Sequence, residues 1–119
     1  MMKIYGIPNC NTVKKAREWL TEHHFDTPFH DFKKNGVPEE QLGQWIETLG
    51  WEALVNRKGT TWRKLDAATQ AAVNDAASAV AVLAQHPSAI RRPVVEAGGA
   101  LLVGFDEAAW REALSSFAR

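Results

Sequence analysis

The chain has 119 residues, 45% of them hydrophobic and 24% charged, the balance of one soluble folded domain able to bury roughly two-thirds of the surface its unfolded chain exposes. Its 14 basic and 14 acidic residues give a formal net charge of zero, which excludes a protein built mainly to hold duplex DNA or an anionic membrane and makes any affinity for anions local. One cysteine excludes an internal disulfide, and without a secretory apolar segment near Met1 the expected location is a reducing cytoplasm.

Lys3 to Gly6 reads as a short strand, and Ile7-Pro8-Asn9-Cys10-Asn11-Thr12 as a polar turn feeding a helix. Val13, Ala16 and Leu20 recur at i, i+3 and i+7 among Lys14, Lys15, Arg17 and Glu18, which predicts an amphipathic helix to about His24. Phe25 to Phe32 reads as a second strand and Lys33 to Val37 as a turn. Pro38 at a first helical position, with Glu39 and Glu40 behind it, opens a helix whose buried stripe is Leu42, Trp45, Ile46 and Leu49 and which Gly50 ends. From Trp51 to Gln85 the pattern is helical but broken. Gly59-Thr60-Thr61 interrupts it, Asp66 caps one segment, and Asp75 to Gln85 forms an alanine-rich helix before Pro87. Pro93 to Ala97 and Ala100 to Val103 form an antiparallel hairpin about Gly98-Gly99. Asp106 caps a last helix with Trp110, Leu114 and Phe117 on one stripe.

The order is therefore β-α-β, a helical insertion at about 38–86, then β-β-α, in a single domain spanning 1–119. This α/β order suits a mixed four-stranded sheet of the thioredoxin-like kind, because a parallel pair needs a helical crossover while an antiparallel pair closes as a hairpin.

Cys10 sits where the first loop enters the first helix. A lone cysteine is more often an inert apolar residue, but Pro8, Asn9, Asn11 and Thr12 make this a turn rather than a core strand. A free thiol, with a pKa of about 8.5, is only a few per cent ionised at neutral pH. Unpaired N–H groups of a first helical turn and the positive end of its dipole favour the anion, each pKa unit being worth about 1.4 kcal/mol. The Thr12 hydroxyl is a further candidate donor. Val13 stands where a CxxC motif would place its second cysteine, so an outside thiol must resolve any adduct. Glutathione is the natural cytosolic candidate, and its two carboxylates call for guanidinium or ammonium partners. Arg57 opens a break between helices, and Arg92 directly precedes the proline that starts a strand, places where a side chain can be aimed. Lys14, Lys15, Lys58 and Arg91 are candidates for a local positive patch. His23, His24, His30 and His86 share no metal-ligand spacing, and the five tryptophans read as packing residues.

Three blocks in order carry a more specific signal. Ile4-Tyr5-Gly6-Ile7-Pro8-Asn9-Cys10-Asn11-Thr12-Val13-Lys14-Lys15-Ala16, Asn56-Arg57-Lys58-Gly59-Thr60 and Pro87-Ser88-Ala89-Ile90-Arg91-Arg92-Pro93-Val94-Val95 resemble the thioredoxin-fold arsenate reductase (ArsC) family, in particular its Spx and YffB-like branch. The resemblance implies that Cys10 is the nucleophile, that Arg57 and Arg92 line its oxyanion pocket and that Pro93 is the cis-proline facing it. Asn11, Thr12, Lys14, Lys58, Arg91 and Pro93 are then the residues expected to bind substrate or glutathione.

Family arsenate reductases resembled here carry a histidine near Gly6, a serine where this chain has Val13, and a third arginine near Val103 or Gly104. Losing a charge-assisted donor to a bound oxyanion costs about 1.5–3 kcal/mol, which weighs against arsenate as substrate. The resemblance thus implies a glutathione-dependent thiol reductase. Its expected partners are glutathione, an oxidised thiol or oxyanion substrate and a glutaredoxin. The chain is expected to be a monomer, with no bound cofactor or metal and no nucleic acid or membrane partner. Arsenate reduction and a Spx-like regulator that binds RNA polymerase are the alternatives.

Overall fold

The computed structural model describes residues 2–115. They divide into two compact units, one holding residues 2–32 and 92–115 and the other residues 33–91.

The first unit is built on a four-stranded sheet in the order β2-β1-β3-β4, with β1 Met2–Gly6, β2 Phe29–Asp31, β3 Val94–Ala97 and β4 Ala100–Val103. β1 runs parallel to β2 and antiparallel to β3, and β3 is antiparallel to β4. The helix α1, Asn11–Glu22, makes the parallel crossover, as expected for a β-α-β start. Gly98, with φ 60°, supplies the positive φ that the tight β3–β4 turn requires. Register puts Ile4 beside both Val95 and Phe29, Met2 beside Ala97, and Val95 beside Leu102, so one sheet face is continuous hydrocarbon. Ala16, Trp19 and Leu20 of α1 pack on this face with Trp110 of the last helix, α8 (Glu107–Ala113), and Leu114 just beyond it. Each such large side chain contributes about 1.5–3 kcal/mol by leaving water. The opposite face carries Lys3, Tyr5, His30 and Glu96, paired as Lys3 with Glu96 and Tyr5 with His30.

Two expectations change here. The second strand covers only Phe29–Asp31, not Phe25 to Phe32, and α1 ends at Glu22 rather than about His24. His24 takes a left-handed φ of 62°, its N–H bonds to the Thr21 carbonyl at 3.0 Å, and the Phe25 N–H reaches back to the Leu20 carbonyl at 2.9 Å. This is a Schellman closure, which spends the Phe25 amide on the helix end and delays the strand. Of the expected last stripe, Trp110 and Leu114 are buried, whereas Phe117 lies outside the described residues.

The second unit is helical. α2 (Phe32–Asn35) begins at the junction, α3 is Glu39–Leu49, α4 Trp51–Leu54, α5 Thr60–Lys64, α6 Ala67–Ala72 and α7 Ala76–Gln85, followed by a 3₁₀ turn at Pro87–Ala89. The expected turn at Lys33 to Val37 is therefore partly a helical turn, ended by Gly36 at φ 79°. Pro38 is the N-cap of α3 and not its first residue. Leu42, Trp45 and Ile46 are buried as expected, but Leu49 is 39% exposed because Gly50, at φ 90°, turns the chain away one residue later. Asp66 and Asp75 cap α6 and α7, the latter in a reciprocal capping box with Ser78. A single antiparallel bridge pairs Val55 with Ile90, flanked by Asn56 N–H to Ala89 carbonyl at 2.9 Å and Arg91 N–H to Leu54 carbonyl at 2.8 Å. Among the described residues no helix is long and apolar enough to cross a membrane.

Candidate active site at Cys10

After Gly6 the chain leaves β1, buries Ile7 and turns through the exposed Pro8 and Asn9. Cys10 then takes an extended conformation, φ −114° and ψ 123°, as the N-cap of α1, and its carbonyl accepts the first intrahelical bond from the Lys14 N–H at 2.9 Å. An N-cap side chain looks back at the second and third amides of its helix. Here those amides belong to Thr12 and Val13. No oxygen-type cap closes this end, and the half-buried sulfur faces the Val13 and Thr12 amides instead.

The electrostatic balance at the sulfur favours the thiolate. Burial by itself raises the Cys10 pKa, but the Val13 N–H, the Arg92 guanidinium by hydrogen bond and by charge, and the Thr12 N–H together outweigh it and hold the thiol below its ordinary value. It is the Thr12 amide, rather than its hydroxyl, that acts.

Arg92 is held by the loop that enters β3. The Arg92–Pro93 peptide is cis, Pro93 is buried, and its carbonyl accepts from the Gly104 N–H at 2.9 Å. Gly104 adopts φ 74°, and its own carbonyl accepts from Trp110 Nε1 at 3.1 Å. That left-handed backbone suits glycine, so position 104 resists an arginine for a conformational reason. The Arg92 Nε is shielded from solvent, while the residue as a whole is half-buried.

The first unit therefore brings together Cys10, the amides of Thr12 and Val13, and Arg92, with Pro93 following Arg92 in the chain. Asn11 and Thr12 are exposed beside the sulfur-bearing turn, and Lys14 is exposed one turn along α1. Arg57, Lys58 and Arg91 belong to the second unit, all three exposed. Arg57 lies 5.2 Å from the centre of the Trp51 ring and 3.8 Å from a Glu52 carboxylate oxygen. Gly59 closes the turn after it, where an added Cβ would meet the Asn56 side-chain nitrogen at 2.6 Å. The first-turn amides expected from the sequence are thus those of Thr12 and Val13, the second and third residues after the N-cap. The described residues contain no group of three or more His, Cys, Asp and Glu able to hold a metal ion.

The sequence model of the ArsC family matches residues 5–113. An uncharacterized protein of Haemophilus influenzae is 39% identical over 115 residues, covering 97% of this chain and 100% of its own. The global transcriptional regulator Spx of Streptococcus pyogenes is 25% identical over 118 residues, covering 97% of this chain and 86% of its own. Among solved structures, the YFFB protein superposes with a TM-score of 0.90 at 46% identity, over 96% of this chain and 99% of its own. An arsenate reductase (ArsC) related protein from Brucella melitensis superposes with a TM-score of 0.72 at 48% identity, over 93% of this chain and 92% of its own.

Proposed function

The chain belongs to the ArsC family, with that family's thioredoxin-like sheet and an arsenate reductase-like relationship to its neighbours, and on that premise we propose that it is a glutathione-dependent thiol reductase working through Cys10. The reading is carried by one observation: Arg92 and the first-turn amides converge on a half-exposed sulfur and favour its anion.

The Cys10 thiolate attacks one sulfur of a disulfide R–S–S–R′, forming Cys10–S–S–R and expelling R′–S⁻, which takes a proton. A glutathione thiolate attacks the R sulfur, restoring the Cys10 thiolate and leaving R–S–S–G. A second glutathione reduces that disulfide to R–SH and oxidised glutathione, so two glutathione thiols supply the two electrons. A thiolate formed at a pKa nearer to ambient pH is a good attacking group and also a good leaving group. Arg92 provides the fixed cation beside the reacting sulfur. Arg57, assigned to anion binding by family resemblance, is tested through its own substitution.

The test is incubation with oxidised glutathione followed by intact-mass measurement. One glutathione adduct on the native protein, lost in Cys10→Ser and reversed by reduced glutathione, is the expected result. Native protein that takes up no adduct overturns the mechanism.

The likeness to Spx across 97% of the chain favours a second reading, a transcriptional regulator. A complex with RNA polymerase that withstands raised salt and does not need Cys10 would support that reading over the reductase. Arsenate reduction is decided by an assay containing arsenate, glutathione and glutaredoxin, in which the present reading expects no turnover above background.

A further inference from the structure

Gly6 is the last residue of β1, and its backbone is outside the left-handed region, so conformation alone does not demand glycine. Space does. A Cβ added to Gly6 would stand 2.9 Å from Val13 Cγ2, 3.4 Å from Val13 Cγ1 and 3.8 Å from Phe29 Cε1. A glycine inside a strand often marks such a close approach. Val13 is fully buried, and a β-branched residue in a helix is held in essentially one χ1 rotamer, so its methyl groups cannot swing aside. A side chain at position 6 must therefore displace the backbone of Val13, and with it the first turn of α1.

That turn carries the amides directed at the nucleophile. We infer that Gly6 is a positioning residue for Cys10: its missing side chain seats the Val13 isopropyl group, and this contact sets the first turn of α1 against β1 so that the Val13 and Thr12 amides aim at the sulfur. Gly6 acts through Val13 and touches neither the sulfur nor a substrate. The inference rests on the reading of Cys10 as a thiolate nucleophile. It adds that positions 6 and 13 are coupled: a methyl group at 6 is tolerated only when the side chain at 13 is cut back.

The experiment is the pH profile of Cys10 alkylation by iodoacetamide in four proteins: native, Gly6→Ala, Val13→Ala and the double variant, with circular dichroism as the check on folding. The native profile tests the nucleophile, and the differences among variants test the coupling. In Gly6→Ala the midpoint moves up by about half to one pKa unit, which lowers the alkylation rate at neutral pH about three- to tenfold. In the double variant the midpoint returns to the native position, because alanine keeps the amide at residue 13 while removing both methyl groups. Val13→Ala alone, which removes the seated isopropyl group, raises the midpoint less than Gly6→Ala does, because no added atom pushes the first turn of α1 away. A folded Gly6→Ala with the native midpoint overturns the inference, as does a double variant that fails to recover. If Gly6→Ala does not fold, the double variant decides: it must fold and titrate as native does, and a raised midpoint or an unfolded chain overturns the coupling. A native midpoint at the free-cysteine value overturns both the nucleophile and the positioning role.

Discussion

Tyr5 donates its hydroxyl to Glu96 Oε1 at 2.7 Å, diagonally across the antiparallel β1–β3 pair and 91 residues apart in the chain. The phenol is almost wholly buried, and Lys3 lies over its ring with Nζ 5.2 Å from the centroid. Burial first, then the hydrogen bond to Glu96 and its charge, push the Tyr5 pKa well above the ordinary value of 10.0.

Tyr5→Phe removes the donor and leaves the Glu96 carboxylate without that bond. A hydrogen bond to a charged acceptor contributes about 1.5–3 kcal/mol, so denaturant unfolding should show a loss in that range. The pH dependence has a definite sign. A raised native pKa means that the tyrosine's contribution is complete below pH 10.0 and is lost as pH rises through the higher native value. Tyr5 is the sole tyrosine of the chain, so tyrosinate absorbance follows this group alone, and Tyr5→Phe should lack that alkaline component of unfolding.

Arg92→Gln removes the guanidinium that favours the Cys10 anion and should move the alkylation midpoint up toward the ordinary thiol value, with Arg92→Lys falling between. A lowered native thiol pKa contributes stability above the unfolded thiol's pKa, and that contribution is lost as pH falls through the lowered value. Cys10→Ser should abolish this component, and stability measured across the same pH range checks it.

Arg57→Ala should leave thermal stability within about 0.5 kcal/mol of native, because the side chain is 53% exposed and its 3.8 Å ion pair with Glu52 is screened by water. Reductase activity with an anionic disulfide should fall, with KM rising more than kcat drops. Unchanged kinetics in a fully folded variant remove Arg57 from the anion-binding role.

Leu83 and Leu49 test the packing of the second unit. Leu83→Ala empties a fully buried position on α7 and should cost about 2–5 kcal/mol in chemical unfolding. Leu49→Ala, at 39% exposure, should cost far less, near the level of a surface substitution. Equal losses at the two sites contradict the observed end of α3.

Much of the fold was legible because local signals agreed with it. The Gly98-Gly99 turn, the capping residues Asp66 and Asp106, and the Val13-Ala16-Leu20 stripe all act within a few residues, where sequence spacing is also spatial spacing. The second strand was misjudged because Phe25 reads as a strand residue by hydrophobicity, while its amide is claimed by the Leu20 carbonyl in the helix ending. Leu49 was misjudged because the 3.6-residue period continues to it while the partner surface does not.

By itself the sequence determined the order of elements and the placement of one cysteine at the mouth of a helix, since turn chemistry, caps and hydrophobic period depend on neighbours along the chain. Only the tertiary structure decided that Arg92 reaches that sulfur, that Gly6 is glycine for want of space beside Val13, and that Tyr5 finds Glu96. Those relationships join residues far apart in the chain or depend on fractions of an ångström between packed elements. Distance and direction in the folded core set them, and no local pattern encodes either one.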